Sequence, residues 1–283
     1  MSKIRAIVFS KDRACQLHLL LESMARHATC FHVYVLYDYT TKDKQWEKAY
    51  EKLQRMNFSF PIVWTKQDSF AVQTKAIAGQ NLHNNQCCGL FTDDSVFYRP
   101  MELDDTQLAK FFDKSGSKSL SLRCGCNTIL QKYWPPLKYL DPLENHGEVA
   151  WFEGTNIITW NYNDYDYDTN YGRPISLDGN LHPRASLYEW MCGTQWKCPR
   201  SLDSISRELI GGKMSAFEHS VLINYAVNLA YGGYADNYGL YHPQSLEELN
   251  QRFLDGEVID YDKLNFLDII SSHTETKFEF TQP

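Results

Sequence analysis

The chain contains no run of about 18 apolar residues, so nothing in it reads as a membrane-spanning helix. Its opening, Met1-Ser2-Lys3-Ile4-Arg5, lacks the apolar segment and small-residue cleavage site of a secretory leader. A cytoplasmic, reducing setting is therefore expected, with the eight cysteines free. No Cys-x-x-Cys occurs; Cys124-x-Cys126, and Cys192 with Cys198, are not zinc-knuckle spacings, and small buried hydrophobes are the default reading. Basic charge is scarce: 28 Lys and Arg stand against 35 Asp and Glu, a net charge of −7. That balance argues against a nucleic-acid surface and against docking on anionic lipid. No repeat and no low-complexity linker is present, so one domain over residues 1–283 is the simplest organisation.

What the chain does have is aromatic surface. Aromatics make up 14%, including 18 Tyr and 7 Trp, enough for sugar- or base-stacking platforms as well as core. Across the first hundred residues, apolar strands at 4–9, 31–37, 62–64 and 87–92 alternate with amphipathic helices at 14–25, 44–56 and 68–82. Such alternation implies a mostly parallel sheet with helices on both faces. The later half is more elaborate. It reads as a helix at 104–113, a strand at 119–123, a loop at 131–150 containing Pro135-Pro136, and a strand at 151–160. A polar, Tyr-rich loop follows at 161–171, then a strand at 175–181 and helices at 184–191 and 202–209. A strand-like 220–228 and a helix at 246–254 complete it.

The segment Cys87-Cys88-Gly89-Leu90-Phe91-Thr92-Asp93-Asp94 carries the strongest chemical signal. A buried strand runs into two adjacent carboxylates, at the end where open α/β sheets bind ligands. Isolated charges are costly to bury, so this pair calls for a cation or a donor-rich ligand. The alternative is a helix cap or turn. At the first loop, Ser10, Lys11 and Arg13 follow a strand and open a helix, which suits a phosphate or a nucleobase edge. Asp38 closes the second strand as a contact to base or ribose, and Asp68 and Lys75 lie near the exit of the third.

These pieces resemble glycosyltransferases of the GT-A fold, family 2-like, over nearly the whole chain. The matching features are the opening strand into Phe9-Ser10-Lys11-Asp12-Arg13, the strand ending in Thr92-Asp93-Asp94 and the segment Ile175-Ser176-Leu177-Asp178-Gly179-Asn180-Leu181. Pro199-Arg200-Ser201-Leu202-Asp203 and a late His273 complete the set. The resemblance implies a Rossmann-like α/β sheet, with a nucleotide-sugar half at 1–100 and an acceptor half at 101–283. It implies a UDP- or GDP-linked sugar donor, a glycan or glycoconjugate acceptor, and Mn²⁺ or Mg²⁺. The family's first acidic position is Thr92 here. The resemblance therefore places the metal mainly on Asp94, with His273, and turns Asp93 toward the donor's ribose or to a supporting contact behind the ligands. An inverting transfer needs a base for the acceptor hydroxyl. Asp203, expected to open its helix, ranks first, Asp178 second, and Glu189 is a further candidate. The Tyr-rich loop with Trp151, Trp160 and Trp190 is the expected acceptor platform. The rival readings are a nucleotidyltransferase, against which the Gly-free first loop counts, and a non-catalytic carbohydrate-binding protein.

Overall fold

The computed structural model describes residues 2–82, 86–131, 138–204, 211–225, 227–228 and 244–282. Pro135-Pro136, residues 205–209 of the expected helix and residue 226 of the expected strand 220–228 lie outside these. The first half alternates as expected: β1 Ile4–Lys11, α1 Ala14–His27, β2 Phe31–Asp38, α2 Lys44–Gln54, β3 Ile62–Lys66, α3 Phe70–Gly79 and β4 Cys87–Thr92. β5 Ser95–Phe97, α4 Asp105–Ser115, β6 Ser117–Ser121 and the short pair β7 Leu130–Gln131 and β8 Lys138–Tyr139 come next. Then follow β9 Gly147–Phe152, β10 Thr155–Asn161, β11 Asn180–Pro183, α5 Arg184–Gly193 and α6 Pro199–Ser204. The chain ends with β12 Lys213–Phe217, β13 Leu222–Tyr225, α7 Leu246–Leu254, β14 Val258–Ile259, β15 His273–Thr274 and β16 Phe280–Thr281.

Nine strands form one sheet in the order β3-β2-β1-β4-β11-β6-β12-β10-β9. β1 pairs in parallel with both β2 and β4, and β2 with β3. β11 runs antiparallel to β4 and to β6, and β12 runs parallel to β6. The carboxyl ends of β1, β2, β3, β4, β6 and β12 therefore share one edge of the sheet. The strand order reverses between β1 and β4, and ligands of open α/β sheets bind at such a switch point.

Burial on both faces explains the near-continuous apolar strands. Ile4, Ala6 and Val8 of β1 face the core shared with α1, α2, α4 and α7. Ile7 and Phe9 face the opposite core, closed by α3, α5 and α6. Gly89 is needed in β4 because a Cβ there would come within 2.6 Å of Leu181 and Phe91 side-chain atoms. A third core gathers Trp160, Tyr162, Tyr171 and Met214 under the Tyr-rich loop.

Three expectations need correction. Ser10 and Lys11 belong to β1 rather than to a polar turn, because β1 keeps pairing with β2 as far as Lys11–Asp38. The strand expected at 151–160 is a hairpin, β9 and β10, folded at Glu153 (φ 46°) and Gly154 (φ 99°). Positive φ at both turn positions is the twist-matched hairpin turn, and Glu at the first of them hid it from the sequence. The expected strand 175–181 is extended sheet only from Asn180, because Gly179 turns at φ 91°.

Candidate active site

The switch point brings the first loop against the acidic pair. Asp12 sits at φ 54°, a conformation that L residues rarely adopt and that clusters at functional sites. Its carboxylate accepts from the Thr40 N–H at 2.6 Å and from the Thr40 hydroxyl at 2.7 Å, which holds the kink. Tyr50 lies beneath the loop. Its hydroxyl shares a 2.6 Å hydrogen bond with Ser10 Oγ and accepts from the Arg13 N–H at 3.2 Å.

Arg13 Nη1 lies 3.0 Å from Asp93 Oδ1 and 3.7 Å from Asp94 Oδ2. Its Nη2 donates to the Asn228 carbonyl. The Lys11 N–H donates to Asp93 Oδ2 at 3.3 Å. Asp93 is buried, and burial pushes its carboxyl up to about 6, against the opposing pull of Arg13. Both its oxygens thus accept from within the protein, which braces Arg13 and the first loop. Ser10 and Arg13 are buried as well and serve first to fix this loop. Lys11 Nζ, half-exposed, sits 3.3 Å from Asp38 Oδ2 at the ends of β1 and β2.

A second polar cluster lies on the other side of Thr92. Thr92 Oγ1 is 2.6 Å from Asp94 Oδ1 and 3.0 Å from Asp178 Oδ1. A hydroxyl has one proton, so it serves one carboxylate at a time. Asn224 Nδ2 donates to Asp94 Oδ1 at 3.2 Å and to Ser95 Oγ at 3.0 Å. Arg123 Nη1 donates to Asp178 Oδ2 at 2.7 Å and to His273 Nε2 at 2.9 Å, and its Nη2 to Ser176 Oγ at 2.8 Å. Burial alone would raise the Asp178 carboxyl. The Arg123 guanidinium, with His273, more than reverses this and holds it well below the usual carboxylate range.

Asp203 is placed differently. α6 opens at Pro199, whose fixed φ and missing N–H suit a first helical position, so Asp203 is its fifth residue rather than the one that opens it. Arg173 Nη1 donates to Asp203 Oδ2 at 3.0 Å. Tyr167 of the Tyr-rich loop lies under the Arg173 guanidinium and donates to the Asp203 carbonyl at 3.2 Å. Burial raises the Asp203 carboxyl, Arg173 opposes, and the charge of Asp178 adds to the rise.

The remaining expectations separate. Glu189 is exposed on α5, and Lys75 on α3 packs 5.3 Å from the Trp196 ring. Asp68 is exposed beside α3, and neither Asp68 nor Lys75 is bonded to the acidic cluster among the described residues. Trp160 is core, Trp190 is half-buried, and Trp151 is exposed.

The divalent ion implied by the resemblance fits these residues only in part. Among the described residues, no group of three His, Cys, Asp or Glu side chains is placed to hold a metal ion. His273 Nε2 lies 2.9 Å from Arg123 Nη1 and 3.8 Å from Asp178 Oδ2, and Asp94, half-buried, is the carboxylate that fits an ion.

Several site residues escaped the sequence reading. Arg123 closes the expected strand 119–123 and was legible by position alone, as a cation at a strand's carboxyl end. Asn224 was an amide in the middle of an apolar strand. Tyr50, Ser176 and Arg173 carried no signal.

No protein-family model and no curated protein matches the chain. Among solved structures it is similar to S. aureus TarS 1-349, at 14% identity and TM-score 0.47, over 78% of this chain and 59% of that one. It is similar to the same protein in complex with UDP-GlcNAc, at 14% identity and TM-score 0.46, over 83% and 61%. It is also similar to a UDP-glucose pyrophosphorylase complexed with UDP-glucose, at 9% identity and TM-score 0.36, over 76% and 91%. The chain spans 35% of one TarS structure and 59% of another. The α/β architecture, with its switch point between β1 and β4, stands on the strand order described above.

Proposed function

We propose that the chain is a glycosyltransferase that moves a sugar from a nucleotide-diphosphate donor to a hydroxyl of a glycan acceptor, with inversion. The observation that carries this reading is the meeting, at one switch point, of a braced first loop, the Asp93–Asp94 pair and two further carboxylates, Asp178 and Asp203. A nucleotide laid over the carboxyl ends of β1 and β2 would meet Lys11 and Asp38. A divalent ion on Asp94 would supply positive charge to the leaving diphosphate, as a hard ion bound through few carboxylates and substrate phosphates does.

The two candidate bases differ by environment. Asp178, clamped by Arg123, is a weak proton acceptor. Asp203, raised by burial, is the stronger one, and proton transfer is most efficient when the base's pKa approaches working pH. In the proposed step the acceptor oxygen bonds the anomeric carbon as the bond from that carbon to the phosphate oxygen breaks. The hydroxyl proton passes to Asp203, and the nucleoside diphosphate leaves.

A screen of UDP- and GDP-sugars for divalent-ion-dependent hydrolysis tests the donor class. Asp203→Asn is expected to lower transfer by roughly 10²–10⁴-fold while leaving nucleotide affinity intact. Full transfer by Asp203→Asn would remove the base assignment, and absence of nucleotide binding would remove the glycosyltransferase reading.

A further inference from the structure

The far edge of the sheet carries a feature that the transfer chemistry does not use. β9 is the edge strand, and Trp151 on it is 69% exposed. The backbone that carries the indole is held in the hairpin, since Trp151 pairs with Asn156 of β10 and the turn at Glu153 and Gly154 follows close behind. Beside it opens a cavity of about 280 Å³, lined by Trp151, Arg99, Glu102, Asn156, Glu218 and His219. Asn156 Nδ2 donates to Glu218 Oε2 at 2.8 Å and so orients that carboxylate.

This combination selects its ligand. An aromatic face takes the C–H face of a sugar ring, and carboxylate, amide, imidazole and guanidinium groups around it match ring hydroxyls. A lipid or an apolar helix would want contiguous apolar lining, and here Arg99, Glu102, Asn156, Glu218 and His219 stand among Trp151, Phe217 and Val221. The cavity also lies on the functional edge, at the carboxyl end of β12. The Val221 and Leu222 N–H groups both donate to the Leu122 carbonyl, next to Arg123. From β4 to β9 the sheet crosses five strand spacings, about 24 Å, a reach of several sugar units.

We propose that the Trp151 cavity is a second sugar-binding subsite, which holds an oligosaccharide acceptor several units away from the residue being modified. The link to transfer rests on the glycosyltransferase reading; the sugar site itself does not.

The test is calorimetric titration of the full chain with chitopentaose, cellopentaose, maltopentaose and xylopentaose, with the matching disaccharides, and separately with UDP and GDP. At least one pentasaccharide is expected to bind more tightly than its disaccharide. Trp151→Ala should weaken that binding by about tenfold or more, the scale of a lost aromatic contact, with thermal melting and nucleotide affinity unchanged. Glu218→Gln, which keeps the shape, should weaken it as well. The subsite is overturned if no pentasaccharide binds, if Trp151→Ala and Glu218→Gln leave binding intact, or if the wild type dimerises through β9 and Trp151→Ala does not. Trp151-dependent pentasaccharide binding without any nucleotide binding would uphold the sugar site and remove the glycosyltransferase reading alone.

Discussion

Arg123 Nη1 donates to His273 Nε2 at 2.9 Å while holding Asp178 Oδ2 at 2.7 Å. The other ring nitrogen, Nδ1, lies 3.2 Å from Ser272 Oγ. His273 thus orients the guanidinium that clamps Asp178, and a metal could use its Nε2 only by displacing Arg123. His273→Ala should leave Mn²⁺ affinity, measured by titration with UDP present, within about threefold, a change of less than 1 kcal/mol. Asp94→Asn should abolish that binding. The opposite pattern, loss with His273→Ala and retention with Asp94→Asn, would return His273 to the metal.

The Arg13–Asp93 pair gives a prediction about stability and pH. Arg13 is buried between two carboxylates, and removing one partner of a buried pair leaves an uncompensated charge, at a cost of about 3–5 kcal/mol. Arg13→Ala should show that loss in urea unfolding. Asp93 behaves otherwise. Its folded carboxyl, raised from 3.8 to about 6, holds a proton more tightly than the unfolded one. Its contribution to stability is therefore present below about pH 4 and is lost as pH rises through about 6. Asp93→Asn, neutral throughout, lacks this dependence, so on top of the fixed cost of taking Asp93's charge from Arg13 the wild type should lose stability relative to the variant between about pH 4 and pH 6. A wild type that gains on the variant across that interval would contradict the raised carboxyl.

How much of this was legible follows from the kind of signal each element gives. β4 was readable to the residue, because Cys87 to Phe91 is buried on both faces and so reads as an unbroken apolar run. α7 was readable because a capping Ser245 precedes a strong amphipathic period. The hairpin at Glu153 was not, since Glu is an unusual residue for a positive φ. At the site, sequence reasoning found the acids, which are rare at strand ends, but not their partners. Arg123, Arg173 and Asn224 are joined to them by contacts of 30 to 130 residues' separation, and local periodicity carries no trace of such pairings. Asp93 and Arg13 were each found, but their pairing across 80 residues was not.

Thr92 occupies the place where the resembled pattern has an acid, and its bonds explain why a hydroxyl serves there. Asp94 and Asp178 both approach its Oγ1, at 2.6 Å and 3.0 Å, and Asn224 Nδ2 donates to it at 3.3 Å. Thr92→Val keeps the shape and removes the hydrogen bond. Leaving a half-buried carboxylate short of a donor costs about 1–3 kcal/mol, and urea unfolding should show that loss, with Thr92→Ser recovering most of it. Thr92→Asp pushes the other way. It sets a third carboxylate beside Asp94 and Asp178, while Arg123 is already engaged by Asp178. Like charges so close are relieved only by a proton or a cation. The Thr92→Asp protein should therefore be less stable than the wild type in a chelator. It should also gain more in melting temperature on adding Mn²⁺. If the two proteins respond equally to the ion, Thr92 is not the residue that keeps this cluster's cation demand low.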